Sequence, residues 1–220
     1  MSYQINKKND QSYDITDLFP QPLVKMDIDH HAAVSVFDNI VKNNTPAADI
    51  LRKPDEPTNY YNTKNVFRLF SELQPMHDQI IEKANYVYKD ILNYNNTLRM
   101  TNAWYNECQV GGYQFMHNHC NSIISGTVYL RADKQTNIQF RSPYAEAPTF
   151  TNHIKDDQSK YPNKNGHNYH QKLHTVFIRE GHILFWPSYL IHGYQNNRTP
   201  NRLSISFNLL PKQMNTTYQI

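Results

Sequence analysis

The sequence predicts a mainly β domain that follows a helical flank, because the spacing of its apolar residues changes near residue 98. Before this point apolar residues recur every three or four positions, which is typical of amphipathic helices. After it, short apolar runs alternate with turn-forming residues, as in successive strands. We therefore predict one main domain, with a helical flank over residues 1–99, a β core over 100–212 and a tail over 213–220.

The flank contains one short strand and two helical patterns. Prolines bound a predicted edge strand between residues 18 and 26, and residues 32–42 have the spacing of a helix. Three prolines make residues 46–62 a predicted loop. A long helical pattern starts at Thr63, which we predict to cap it, and Pro75 is expected to break or kink the helix.

The β half is predicted as seven strands with one long insertion. Residues 143–173 are rich in Asn, His, Lys, Asp and Tyr, and such a long irregular segment is typical of a lid or a disordered insertion. The predicted strands are 102–108, 112–119, 123–131, 137–141, 174–179, 182–186 and 202–210.

Composition excludes several classes of protein. The net charge is +3, from 22 basic and 19 acidic residues without long runs of one sign, so a nucleic-acid partner is not expected. The N-terminus lacks the pattern of a secretory signal, and no apolar stretch reaches the ~18 residues of a membrane span. We predict a cytoplasmic protein with no membrane partner.

Cys108 and Cys120 are too few for a disulfide scaffold, so we expect reduced thiols. An imidazole can activate a thiolate, which makes a catalytic Cys120 beside His119 one hypothesis. A small residue in a strand next to a metal site explains Cys120 as well.

Two histidines stand two residues apart in the predicted strand 112–119. Strand alternation places Tyr113, Phe115, His117 and His119 on one face, where the two imidazoles could chelate one ion. The chain has 11 histidines, so the pair alone leaves a surface role open.

A polar row marks the last predicted strand. In 202–210 the apolar side chains alternate with Arg202, Ser204, Ser206 and Asn208. A guanidinium can hold a carboxylate through two hydrogen bonds, and Ser204 can donate to the same oxygen. The alternative is that this row is the solvent face of an antiparallel strand.

Together these motifs resemble the Fe(II)/2-oxoglutarate oxygenase superfamily, in particular bacterial and phage members whose first motif reads His-x-His. The resemblance covers about residues 100 to 210. The residues that carry it are Trp104, Asn106, Gly112, His117-Asn-His119, Ser122, Ser125-Gly-Thr-Val-Tyr129-Leu, Phe140, Pro143, Gly181-His-Ile-Leu-Phe-Trp-Pro-Ser188, His192 and Arg202-Leu-Ser204-Ile-Ser-Phe-Asn208.

The resemblance implies a double-stranded β-helix, also called a jelly roll or cupin-like barrel, and a set of site residues. Most members have Asp or Glu at the position of His119, which completes a triad of two His and one carboxylate. Here we expect His119 to be the third metal ligand. The alternative is that His119 lies behind the ligands and does not contact the metal. The implied metal ligands are His117, His119 and His192, the 2-oxoglutarate-binding residues Arg202, Ser204, Tyr113 and Tyr129, and the substrate-binding residues Trp104, Asn106 and Asn208.

The implied activity is hydroxylation of an unidentified substrate, a small molecule or a peptidyl residue, with Fe(II), 2-oxoglutarate and O2. Two other classes stay open at this point. A three-His dioxygenase of the cupin type or a metal-dependent isomerase would not need Arg202 and Ser204. A non-catalytic barrel that only binds a ligand would hold no redox metal.

Overall fold

A computed structural model gives the fold of most of the chain. The predicted insertion and tail fall outside the described residues, apart from residues at their ends. Thr63, the predicted helix cap, also lies outside. The structure describes residues 2–4, 14–16, 21–43, 50–51, 58–61, 65–143 and 173–213.

Two antiparallel sheets dominate the described residues, and a two-stranded ribbon of β1 and β2 accompanies them. The large sheet has the order β3-β11-β8-β13-β6-β5-β4 and the small one β10-β9-β12-β7. These two sheets with a few helices form the predicted double-stranded β-helix. The strands are β1 Ser2–Gln4, β2 Asp14–Thr16, β3 Val24–Asp27, β4 Ile50–Leu51, β5 Thr58–Tyr61, β6 Leu98–Cys108, β7 Gln114–His117, β8 Ile124–Arg131, β9 Asn137–Arg141, β10 Leu173–Phe177, β11 His182–Pro187, β12 His192–Tyr194 and β13 Arg202–Pro211.

The large sheet is covered on both faces. One face packs on the helices in the main core, to which Phe37, Ile80 and Phe207 belong. The other face meets the small sheet, where Phe140 of β9 packs with Trp186 of β11 in a second core. Because both faces are covered, seven of the eight residues of β8 are buried.

The helices lie in the N-terminal flank. The helix predicted over 32–42 is confirmed, and the long pattern after it is divided into four consecutive pieces. The helices are α1 His31–Asn43, α2 Val66–Leu69, a 3-10 turn Ser71–Leu73, α3 Gln74–Tyr86 and a π-helical turn Val87–Ile91.

Two expectations about this second pattern were wrong. Asn65, not Thr63, caps α2, because its side chain accepts a hydrogen bond from the Phe67 N–H at 3.0 Å. The break falls at Phe70, whose backbone is extended. Pro75 lies in the first turn of α3, where the missing N–H costs no helical hydrogen bond, so it starts a helix instead of kinking one.

The loop prediction for residues 46–62 was wrong where β4 and β5 occur. β5 pairs along β6, with Thr58 opposite Cys108 and Tyr61 opposite Tyr105. The edge of the long strand β6 offers unpaired backbone groups, and pairing with them overrides the weak local preference of this polar segment. No helix among the described residues is long and apolar enough to cross a membrane.

Candidate active site

Three imidazoles converge where the small sheet ends. His117 is the last residue of β7, and His192, the first residue of β12, lies directly opposite it. His119 follows β7 by two residues, and its backbone N–H donates to the Ser188 carbonyl at 3.0 Å. One ring nitrogen from each of the three histidines lies within 4.8 Å of the others.

A glycine allows β12 to approach β7 this closely. A Cβ at Gly193 would lie 2.6 Å from the Gln114 carbonyl oxygen and 2.9 Å from that of Phe115, well inside any tolerated contact. The absence of a side chain at position 193 therefore keeps His192 in register with His117. Glycine at position 193 is therefore required by the geometry of the candidate site and not by packing in the hydrophobic core.

Backbone carbonyls fix the tautomers of two of the rings. His117 Nδ1 donates to the Phe115 carbonyl at 2.8 Å, and His192 Nδ1 donates to the Leu190 carbonyl at 2.8 Å. A neutral imidazole carries one proton, so both Nε2 atoms keep a lone pair. This arrangement is the one found behind metal-bound histidines.

Burial keeps two of the imidazoles neutral. Desolvation lowers the pKa of His192 to about 3, although the hydrogen bond to Leu190 opposes the shift. Desolvation and the neighbouring His117 lower the pKa of His119 to about 4, against a hydrogen bond with Asn208 that raises it. Both rings are therefore unprotonated at neutral pH, the form that binds a metal.

The spacing of the rings suits one metal ion. His119 Nε2 lies 3.2 Å from His192 Nε2. Two nitrogens bound to one ion at about 2.1 Å, about 90 to 110° apart, are about 3.0 to 3.4 Å from each other. The observed separation falls in this range, so the donor set fits a divalent first-row metal.

Two of the residues predicted to bind substrate, Trp104 and Asn208, interact with the ring of His119. The Trp104 ring stacks on the His119 ring, with 5.7 Å between centroids, and Asn208 hydrogen-bonds to the imidazole. Asn106, the third, accepts from Trp104 Nε1 at 3.0 Å and donates to Ser206 Oγ at 2.9 Å. Both polar atoms of its amide thus have a partner inside the protein.

Arg202 and Ser204 lie in a narrow inner pocket beside the imidazoles, each 4% exposed. This burial excludes the alternative that the polar row of the last strand faces solvent. The guanidinium lies over the Tyr194 ring, 3.7 Å from its centroid, and 5.5 Å from the centroid of Tyr129. Tyr129 also hydrogen-bonds to Arg202, and burial raises the pKa of its phenol.

The charge of Arg202 has no acidic partner among the residues that the structure describes: the salt bridges found there involve other side chains. Burying a cation without a counter-charge is costly, and an anionic ligand removes that cost. The inner pocket is therefore built for an anion.

The sequence placed Tyr113 at the site and missed Tyr194 and Gln114. Tyr113 is half-exposed, packs edge-on against Phe115 and does not belong to the lining of the inner pocket, whereas Tyr194 and Gln114 do. Strict alternation over 112–119 fails because β7 stops at His117 and its pairing with β12 shifts between His192 and Tyr194. Tyr194 follows His192 by two residues in a strand, a spacing that could have revealed it.

An open cleft of about 420 Å³ leads from solvent to His117 and His119. Its described lining carries aromatic, amide and thiol groups and no carboxylate. Phe115 is 77% exposed and Cys120 is exposed as well. The lining residues are Trp104, Gln114, Phe115, His117, Asn118, His119, Cys120 and Asn208.

These features define a class, the jelly-roll proteins with a candidate non-haem metal centre beside an anion pocket. Within that class, residues 102–208 match the model of a family described as putative 2OG-Fe(II) oxygenase. This match confirms the resemblance at the level of the 2OG-Fe(II) oxygenase superfamily. The comparison with curated proteins returned no match.

Several solved structures share the fold of this chain. HygX from Streptomyces hygroscopicus, crystallised with nickel, 2-oxoglutarate and hygromycin B, superposes with a TM-score of 0.56 at 12% identity, over 87% of this chain and 84% of that chain. The epimerase SnoN from nogalamycin biosynthesis gives 0.58 at 12% identity, over 86% and 78%. A 2OG-Fe(II) oxygenase family protein from Burkholderia pseudomallei gives 0.53 at 9% identity, over 85% and 83%.

Proposed function

We propose that this protein is an Fe(II)- and 2-oxoglutarate-dependent dioxygenase that hydroxylates a C–H bond of its substrate. The observation that carries the proposal is the buried Arg202, without an acidic partner in the described part of the chain, in one pocket with three imidazoles. A metal site alone fits many enzymes. A metal site next to a pocket for an anion fits a co-substrate that has two carboxylates.

In this proposal His117, His119 and His192 hold the iron through their Nε2 atoms. The carbonyls of Phe115 and Leu190 keep two of these nitrogens unprotonated, and burial lowers the pKa values of His119 and His192. Three neutral ligands leave the full charge of the ion uncompensated, which favours binding of an anionic co-substrate. HygX, similar in fold, was crystallised with iron.

Arg202 and Ser204 hold the distal carboxylate of 2-oxoglutarate. The guanidinium fork donates two charge-assisted hydrogen bonds to such a group, and Ser204, two residues along the same face of β13, can donate a third. The Tyr194 ring under the guanidinium fixes its plane, and Tyr129 fixes it from the side. The guanidinium is shielded from bulk water because Arg202 and its neighbours are buried.

When bound, the iron and its co-substrate supply an oxidation in which O2 and 2-oxoglutarate become succinate and CO2 while a substrate C–H becomes C–OH. The protein contributes position and shielding. The open cleft over His117 and His119 receives the substrate against Phe115 and Gln114. Trp104 and Asn208 contribute by holding His119 in place.

Epimerisation is a second candidate reaction, because SnoN, which resembles this chain in fold, is an epimerase that depends on α-ketoglutarate. It would use the same metal and the same co-substrate. A three-His dioxygenase without 2-oxoglutarate is less suited to the site, because it would leave the charge of Arg202 buried and unpaired.

The decisive experiment follows iron, 2-oxoglutarate and succinate in one preparation. Protein reconstituted with Fe(II) without oxygen should bind one iron and one 2-oxoglutarate per chain, and admission of O2 should release succinate and CO2 in equal amounts. Iron binding without any 2-oxoglutarate binding would instead support a three-His dioxygenase. A protein that binds neither would be a non-catalytic barrel.

A further inference from the structure

A second cluster of metal-binding side chains lies at the other end of β11 from His192. Asp29 and His30 stand in the turn between β3 and α1, and His31 is the first residue of α1. One ligand atom from each of the three lies within 4.8 Å of the others. The turn before β11 packs against them, since the Ile28 N–H donates to the Gly181 carbonyl at 2.9 Å. β11 is six residues long, so the two clusters are on the order of 15 Å or more apart.

We propose that this cluster is a zinc-type metal site that fastens the start of α1 to the turn preceding β11. The ligands are the carboxylate of Asp29 and the imidazoles of His30 and His31, with solvent in the fourth position. Imidazole and carboxylate together are ligands of zinc and of its neighbours cobalt and nickel.

His30 is the residue that distinguishes the cluster from an ordinary polar turn. Its side chain is 10% exposed, and its Nε2 lies 3.0 Å from Glu180 Oε1. An ionised carboxylate only accepts hydrogen bonds, so Nε2 carries a proton, and in the neutral ring Nδ1 keeps a lone pair. A histidine whose outer nitrogen donates to a carboxylate is the arrangement that orients metal ligands.

The position of His30 is fixed by its surroundings. A Cβ at Gly181, whose φ is +78°, would lie 3.4 Å from His30 Nδ1 and Cε1, so the turn passes close over the ring. The ring of His31 lies beside it, with 4.5 Å between centroids. Asp29 and His31 are exposed and can turn toward an ion, whereas His30 cannot move far.

The separations and charges suit a divalent cation. Ligand atoms around a tetrahedral zinc ion are about 3.4 Å apart, so the side chains of Asp29 and His31 have to close by at most about 1.4 Å from the observed limit of 4.8 Å. Asp29 and Glu180 supply two negative charges. The nearby cation Arg179 already pairs with Asp27 at 2.8 Å, so it opposes the ion little.

Cobalt is the probe, because it replaces zinc and absorbs visible light. The variant His117→Ala/His192→Ala is first shown to be folded by circular dichroism. It should then bind one Co²⁺ per chain through the second cluster. Adding His31→Ala should abolish this binding, and adding Glu180→Gln should weaken it about ten-fold. Zn²⁺ at about 100 times its Kd should raise the ratio of folded to unfolded protein about 100-fold.

His77→Ala is the matched control. His77 Nδ1 also lies 3.0 Å from a carboxylate, that of Asp78, but the pair includes no second imidazole, so cobalt binding should stay unchanged. Cobalt binding that is absent, or that survives His31→Ala, would overturn the proposal.

A second measurement applies if the double variant does not fold. The cobalt stoichiometry of the otherwise unchanged chain should then fall by one equivalent in His31→Ala, whatever the occupancy at His192. No decrease would overturn the proposal, and this result is independent of the proposed oxygenase activity.

Discussion

The imidazole end and the arginine end of the candidate site are supported in different ways. The imidazole end rests on β7 and β12, strands of four and three residues whose pairing shifts in register. The arginine end rests on β13, ten residues long and paired along both sides with β6 and β8. One end opens to solvent beside Phe115, and the other is enclosed.

This difference assigns separate tasks to the two ends. A metal imposes its own geometry on side chains that can adjust, so short irregular strands suffice where the imidazoles lie. A pocket for an anion works through dipoles and charges that are already in place, which requires a rigid strand. We therefore expect a substitution at one end to change binding at that end far more than binding at the other.

The largest effect should come from His192→Ala. It removes a buried ligand whose Nε2 faces that of His119 at 3.2 Å, so the affinity for Fe(II) should fall more than about 100-fold. Calorimetric titration without oxygen measures it. His174→Ala, at an exposed position of β10 in the same sheet, should leave iron binding unchanged. Equal iron affinity in both variants would place the metal elsewhere.

Arg202→Ala should affect only the arginine end. Removing one partner of a buried charge pair costs ~2 to 5 kcal/mol, so the Kd of 2-oxoglutarate should rise about 30-fold or more while iron still binds. Arg202→Lys should restore affinity only in part, because an ammonium lacks the planar fork. Arg198→Ala is the control, since Arg198 is exposed. Unchanged affinity in Arg202→Ala would contradict the assignment of the carboxylate pocket.

The arginine end could be predicted from sequence because it lies on a long strand that is paired along both sides, unlike the imidazole end. Along a long strand with both neighbours in place, side chains alternate regularly, so Arg202 and Ser204 were placed on one face and Leu203 and Ile205 on the other, as the burial shows. The same rule put Tyr113 on the face of the imidazoles, whereas Gln114 lines the inner pocket, because β7 is short and its pairing is irregular.

Contacts made across the sheet could not be predicted from local patterns. β5 forms because β6 offers it an edge, and α2 ends at Phe70 without a proline to signal it. The glycine at 193 carries no sequence signal of its own, since its role appears only when the Gln114 carbonyl is in place. Local sequence encodes spacing along one strand, while these features depend on a second strand.

Acid should lower the stability of the metal-free protein, because His192 at the imidazole end is neutral in the folded state. The pKa of His192 is about 3 in the folded protein, below the ~6.5 of an unfolded chain. The contribution of His192 to the free energy of unfolding is therefore complete above pH ~6.5 and is lost as the pH falls toward 3. Between pH 7 and pH 5 this one group should lower the free energy of unfolding by about 2 kcal/mol. Urea unfolding with a chelator present should show this loss in wild type and less of it in His192→Asn. An equal loss in both would mean that other groups dominate.

Asn208→Ala tests whether the polar row of β13 also supports the imidazole end. Asn208 hydrogen-bonds to His119, so loss of the Asn208 side chain should weaken Fe(II) binding about ten-fold. This is the lower end of the loss of metal affinity seen when a residue that hydrogen-bonds to a metal ligand is replaced. Ser125→Ala is the matched control, because it deletes the hydrogen bond from Ser125 Oγ to Asn208 Oδ1 and leaves the side chain of His119 unchanged. If both variants bind iron as wild type does, the two ends are independent.

The smallest effect should come from His119→Asp, which replaces the third imidazole by the carboxylate found in most relatives. Fe(II) should still bind within about ten-fold of wild type, because a carboxylate is also a ligand of Fe(II) and lowers the net charge of the site by one. The lower charge attracts 2-oxoglutarate less strongly, so its Kd should rise several-fold with Arg202 unchanged. His119→Ala separates the two roles, since it should weaken iron more than His119→Asp does if His119 is a ligand. Equal affinity for iron in wild type and in both variants would show instead that His119 is not a ligand, and that the protein ligands at the imidazole end are His117 and His192 alone.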